Sequence, residues 1–138
     1  MSADRRVYPR AKLKWPVKIK TDEEVMDGVT LNITPDGCFI SCRKPLKLNV
    51  VFEFAIKVPN SKAVLKASAE VVWSNIYGPD DEISPRGMGV RFIDMADKTR
   101  KFIAQASLEH FKSVDLEPEL LETLSTLVID LSEKTKKI

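Results

Sequence analysis

Leu13-Lys14-Trp15-Pro16-Val17-Lys18-Ile19-Lys20 decides how this chain folds. Leu13, Trp15, Val17 and Ile19 fall on one side, while Lys12, Lys14, Lys18 and Lys20 fall on the other. That period of two is the mark of a half-buried strand. The same signal recurs towards the C-terminus. Residues 25–33 form a second predicted strand, with Gly28 as a bulge or irregularity. Thr34-Pro35-Asp36-Gly37 has turn chemistry: Pro35 fixes its own φ, and Gly37 stands where a positive φ is expected. Residues 38–42, 50–58, 63–73 and 87–93 are further strands, the fourth and fifth parted by the Asn60-Ser61 turn signal. Six short antiparallel strands predict a closed or nearly closed β-barrel, because closure removes the exposed edges of an open sheet.

The pattern changes after Asp94. Asp97 is placed to cap a helix over residues 98–113, with Phe102, Ile103, Ala106 and Phe111 as its apolar contacts. Glu117-Pro118 opens a second helix, with proline in the first turn. There Leu121, Leu124, Val128 and Leu131 follow the 3, 4, 3 spacing of a seam, widened by Leu120 and Leu127. Such a stripe can pack on its own barrel or join two copies into a homodimer. The division that follows is an arginine-bearing flexible arm (1–11), a barrel (12–95) and a C-terminal helical extension (96–138).

Composition narrows the function. The chain has 138 residues, 43% hydrophobic and 30% charged, which suits one soluble domain. A net charge of +2 gives no global field for gripping DNA. The cationic side chains are concentrated at one end, where Arg5, Arg6, Arg10, Lys12, Lys14, Lys18 and Lys20 face only Asp4. A local positive end on a nearly neutral protein suits a small anion. No apolar run is long enough for a membrane helix and no secretory leader is visible, so a cytoplasmic protein is expected. Cys38 and Cys42 would share one strand face about 13 Å apart, too far for a disulfide. They are expected as buried thiols, and with His110 as the one histidine no metal site is expected. Ser, Cys and His offer no nucleophile–base pair, and an enzyme is not expected. A barrel for single-stranded nucleic acid would need several exposed aromatics along a basic groove. Most aromatics here fall at core-phase positions.

Two motifs carry chemistry. Arg6-Val7-Tyr8-Pro9-Arg10 sets two guanidiniums four residues apart, in a segment that Pro9 keeps extended. In Asn32-Ile33-Thr34-Pro35-Asp36-Gly37, Asn32 and Thr34 are two apart at a strand end, so one amide and one hydroxyl face the same way. By itself the second segment also fits an ordinary Asx- or Ser/Thr-type turn.

Together the motifs resemble the signature of the PilZ domain family, Arg-x-x-x-Arg followed by (Asp/Asn)-x-Ser-x-x-Gly. The likeness extends to the strand after the first motif, to Val71-Val72-Trp73 and to Gly87-Met88-Gly89-Val90-Arg91-Phe92, and so covers residues 5–95. The resemblance implies a six-stranded barrel followed by helix that binds the bacterial second messenger cyclic di-GMP. Arg6 and Arg10 would meet guanine and phosphate, with Arg5 as a third contact. Asn32 and Thr34 would hydrogen-bond a guanine edge, and Gly37 would allow close approach. Trp73, Arg86 and Arg91 are secondary candidates for stacking on the second guanine. The chemistry fits: a guanidinium fork takes O6 and N7 of guanine together, for about 1–3 kcal/mol of discrimination, and also pairs with phosphate and stacks on a purine.

Two positions depart from the usual pattern. Asn32 offers one acceptor oxygen where an aspartate accepts from both N1–H and N2–H of guanine. Losing such a bond costs on the order of 1 kcal/mol, a few-fold to tenfold in affinity. Thr34 keeps the hydroxyl of the usual serine and adds a methyl. The implied partners are the dinucleotide and a downstream protein of motility, exopolysaccharide synthesis or adhesion. A module of the same family that binds protein but no nucleotide is the competing possibility.

Overall fold

The alternation around Trp15 closes into a barrel in the computed structural model, which describes residues 8–76, 78, 80–81, 85–114 and 117–136. The strands are β1 (Pro16–Lys20), β2 (Val25–Thr34), β3 (Gly37–Cys42), β4 (Val51–Lys57), β5 (Val64–Asn75) and β6 (Gly87–Asp94). They are followed by α1 (Asp97–Lys112) and α2 (Pro118–Lys136). Every strand pairing is antiparallel, and the order β1-β2-β3-β6-β5-β4 returns to β1. The inward side chains make one core, with Ile19, Ile33, Ile40, Ile56, Val71 and Met88 fully buried.

The first strand begins later than its alternation predicts, at Pro16, because the Trp15 N–H is taken by a side chain and not by a ladder carbonyl. A buried side chain carries the pairing past this point. The Trp15 N–H donates to Thr30 Oγ1 at 2.9 Å, and the same hydroxyl donates to the Leu13 carbonyl at 2.6 Å. Upstream, Ala11 and Ile33 exchange both backbone hydrogen bonds, at 3.0 and 2.9 Å, and Ala11 is fully buried. The segment expected to be a free arm up to residue 11 is therefore tied to β2 at Ala11.

Gly28, expected as a bulge, pairs regularly with Val17 and Cys42. A Cβ there would lie 2.8 Å from Ile40 Cγ2 and 2.9 Å from the Ser41 carbonyl, so glycine lets β3 come close. The irregularities lie elsewhere, between Thr30 and Asn32 in β2 and between Val71 and Trp73 in β5. No described glycine has a positive φ, Gly37 included; the left-handed residues are Asn49 and Asn60.

Helix α1 starts at Asp97, one residue before the expected range. Asp97 does not cap it: Ala96 is the extended N-cap and no side chain bonds the free N–H groups. Asp97 contributes a negative charge at the positive end of the helix. The buried stripe of α1 is Thr99, Ile103, Ala104, Ser107 and Phe111, while Phe102 and Ala106 are half-buried. Phe102 meets Trp15 edge-on at 6.4 Å, which joins the helix to the barrel.

Helix α2 begins at Pro118, as expected, and packs along α1. The apolar stripe, read as able to pack on its own barrel or to join two copies, lies against α1 within the chain. Leu124 and Leu131 are buried within the chain itself, and Leu121 and Val128 are half-buried. A helix in a protein draws most of its stability from packing its apolar face, and here α1 covers part of that face. Among the described residues no helix is long and apolar enough to cross a membrane.

Candidate functional site

The two bulges build the site. Thr30 pairs with Ile40 inside the barrel, and a regular ladder would then set Leu31 opposite Phe39 and Asn32 opposite buried Cys38. The bulge skips Leu31, so Asn32 pairs with Phe39 on the outer face. In β5 the bulge at Val72 does the same: Trp73 pairs with Gly89 instead of falling opposite buried Met88. A one-residue slip moves a side chain to the other face of a sheet. Both slips bring a polar or aromatic group out of the core phase. Since Phe39 also pairs with Gly89, the outer face carries the row Asn32, Phe39, Gly89, Trp73 across four strands.

Gly89 has no side chain to separate its neighbours. The Phe39 and Trp73 rings stand 5.6 Å apart, tilted by 46°, and Trp73 keeps 47% of its surface exposed. Above them the Ala11–Ile33 bridge brings in the end of the arm. Antiparallel register from that bridge sets Arg10 beside Thr34 and Lys12 beside Asn32. The result is a groove of about 650 Å³ lined by Arg10, Lys12, Asn32, Thr34, Gly37, Phe39 and Trp73, among others. Arg10 and Lys12 are exposed and have no carboxylate partner among the described residues. The groove therefore presents two cations, an amide and an aromatic floor, a set suited to an anion with flat rings.

The Thr34 hydroxyl is already engaged. It accepts from the Asp36 and Gly37 N–H groups at 3.0 and 3.1 Å, a Ser/Thr-type turn, and donates to the Gly37 carbonyl at 3.3 Å. Gly37 is required by the barrel. A Cβ there would collide with the Val90 carbonyl oxygen and sit 3.2 Å from Arg91 Cα, so the missing side chain faces β6. The Asp36 carbonyl accepts from the Phe92 N–H at 2.8 Å, and the Asp36 carboxylate pairs with Arg100 of α1 at 2.8 Å. The turn is thus held by its own hydroxyl, by β6 and by the helix.

The secondary candidates divide. Trp73 lies in the groove. Arg91 shares its outer-face row with Thr34 and Gly37, but its guanidinium pairs with Glu70 at 2.6 Å. Arg86 is outside the groove lining; its guanidinium donates to the carbonyls of Ile76 and, at 2.9 Å, Gly78, and so shapes the loop after β5. Arg5 and Arg6 lie outside the described residues.

Phe39, Lys12 and Gly89 were not named as site residues from the sequence. Phe39 could have been: it is out of phase with the core residues Cys38, Ile40 and Cys42, and is thus an aromatic turned outward. Those two thiols are buried and unpaired. Burial pushes Cys38 up to about 12 and Cys42 up to about 11, so both are poor nucleophiles. Among the described residues no group of three His, Cys, Asp or Glu side chains could hold a metal ion.

Known structures share this architecture. The chain superposes on the inhibitor of motility MotI/DgrA from Bacillus subtilis with a TM-score of 0.68 at 18% identity, covering 81% of this chain and 53% of that one. It thus spans about half the length of that protein. Against the PilZ domain of YcgR from Escherichia coli, solved with c-di-GMP, the TM-score is 0.62 at 11% identity, covering 98% of this chain and all of that one. The PilZ domain of CeSA from a cellulose-synthesizing bacterium gives 0.50 at 16% identity, over 73% of this chain and 96% of that one. At these identities the likeness is one of fold. No curated protein matches the sequence. The family model for the PilZ domain matches residues 4–109, from the arginine arm through the barrel and most of α1, and the chain belongs to the PilZ domain family.

Proposed function

We propose that the chain is a cyclic di-GMP receptor of the bacterial cytoplasm, and that it signals to a partner protein by changing its N-terminal arm and surface when the nucleotide binds. One observation carries this: the two halves of the sequence signature, Arg10 from the arm and Asn32 with Thr34 from the β2–β3 turn, meet in one cationic groove floored by Phe39 and Trp73. Cyclic di-GMP has two phosphodiesters for the cations and two guanines for forks and rings. Arg10 takes a guanine edge or a phosphate, with Arg5 and Arg6 completing the clamp from the preceding residues. Asn32 reads a guanine edge. The Phe39–Trp73 pair offers a stacking surface, and base–aromatic stacking is worth about 1–3 kcal/mol per base. Thr34 and Gly37 act one step back, since they shape the turn that presents Asn32. Arg86 and Arg91 contribute through the loop and the strand that flank the groove. The downstream partner belongs to motility, exopolysaccharide or adhesion machinery, in keeping with an inhibitor of motility among the structures of like fold.

Calorimetric titration of the full chain with cyclic di-GMP tests this. Saturable binding at micromolar nucleotide is expected, with most of it lost in Arg6→Ala and Arg10→Ala. Asn32→Asp restores the second acceptor and should tighten binding by up to about tenfold. Absence of heat at tens of micromolar would reject the receptor in favour of a PilZ module that binds protein alone.

A further inference from the structure

Both halves of the signature touch one residue that belongs to neither motif. Arg100, on the first turn of α1, donates from Nη2 to Asp36 of the β2–β3 turn at 2.8 Å. Its guanidinium carbon also stands 6.0 Å from the centre of the Tyr8 ring, inside Arg6-Val7-Tyr8-Pro9-Arg10. The Nε–H is buried and has no acceptor among the described residues. The helix that carries it is anchored by buried Ile103, Ala104 and Phe111 and by Phe102 against Trp15. Tyr8 meets the second helix too, in a recess it lines with Glu122, Thr126 and Asp130 of α2. Burial pushes the Tyr8 phenol pKa up against the opposing pull of the Arg100 cation, as expected for a ring partly withdrawn from water.

We propose that Arg100 is a positioning residue of the nucleotide site, holding the arm and the turn in register through Tyr8 and Asp36, and that the α1–α2 pair senses occupancy of the site through it. This rests on the receptor function proposed above and extends it to regulation. A planar guanidinium can stack on a ring and bond a carboxylate with the same group, which an ammonium cannot do. Coupling is reciprocal: if docked α1 favours nucleotide binding, bound nucleotide must favour docked α1 by the same factor. The helix pair that carries Arg100 is then the surface whose stability changes with ligand.

The test compares full-length wild type, Arg100→Gln and Arg100→Lys by cyclic di-GMP calorimetry, thermal melting and amide hydrogen exchange. The Asp36–Arg100 pair is partly exposed and contributes little to global stability, so melting midpoints should agree within about 2 °C. Arg100→Gln should bind about three- to tenfold more weakly, with Arg100→Lys between, because it keeps the charge and loses the planar fork. Nucleotide should slow exchange in α1 and α2 of the wild type and leave it unchanged in Arg100→Gln. Equal affinity of Arg100→Gln and wild type overturns the proposal. So does a fall in affinity that merely tracks the melting midpoint across the variants. Where the wild type itself binds no cyclic di-GMP, the receptor function fails, and ligand-free exchange at residues 8–11 decides the role of Arg100. Faster exchange there in Arg100→Gln upholds positioning of the arm, and unchanged exchange removes it.

Discussion

Gly37→Ala should unfold the barrel more readily with no ligand involved. The family signature invites the view that this glycine clears space for nucleotide. Its missing Cβ points elsewhere: the added methyl would overlap the Val90 carbonyl oxygen and lie 3.2 Å from both Val90 C and Arg91 Cα. These are backbone atoms of the paired strand, so no rotamer change can relieve the clash. β3 and β6 must part at the Gly37–Arg91 pair. Overpacking costs about 1–3 kcal/mol, and a weakened ladder bond adds about 1 kcal/mol. A loss of about 2–4 kcal/mol lowers the melting midpoint by roughly 10 °C in a domain of this size. Gly89→Ala is the internal control, because its nearest neighbours would be Trp73 Cβ at 3.5 Å and Phe39 Cδ2 at 4.0 Å, ordinary contacts. It should melt within about 2 °C of wild type. It also raises the floor between the two rings and should weaken nucleotide binding. Circular-dichroism melts of the three ligand-free proteins suffice. A Gly37→Ala protein that melts with the wild type would mean that β3 is free to move from β6, and the structural role given to Gly37 would fall.

Other consequences are as direct. Trp73→Ala removes a half-exposed ring and should leave stability within about 1 kcal/mol while weakening cyclic di-GMP at least about fivefold, as read by calorimetry; unchanged affinity would take Trp73 out of the site. Thr34→Val strips the acceptor from the Asp36 and Gly37 N–H groups and should cost about 1–2 kcal/mol in urea unfolding, whereas Thr34→Ser should sit near wild type. The buried thiols make stability alkali-sensitive. Their folded pKa values are raised above 9.0, so the protonated form is favoured by folding. Stability is complete below about pH 9 and falls as pH rises towards 11 to 12, by at most about 1.4 kcal/mol per unit for each thiol. Cys38→Ala should flatten that decline in urea midpoints measured from pH 8 to 10.5, and a decline of wild-type steepness would show that other groups cause it.

Much of the fold was written in local patterns. Alternation around Trp15, the turn chemistry of Thr34-Pro35-Asp36-Gly37 and the change of period after Asp94 are properties of neighbouring residues, and each marked an element that the structure contains. The seam of Leu121, Leu124, Val128 and Leu131 was legible as apolar, but its partner was not. Spacing reports which face of a helix is apolar and carries no information on whether α1 or a second copy covers it. Thr99 and Ser107, buried on α1, escaped notice because small polar residues give no periodic apolar signal.

What the sequence determined by itself was the set of strands and helices and the pair of motifs that bring arginines and an amide to one protein. Tertiary structure alone decided how these face one another. A bulge exists only relative to the strand beside it, so no inspection of residues 25–34 or 64–75 separately could show that Asn32 and Trp73 leave the core phase and come to share an outer row with Phe39 and Gly89. For the same reason Gly37 looked like room for a ligand until β6 lay against it, and nothing local in the sequence marked Arg100, which the fold sets between Asp36 and Tyr8.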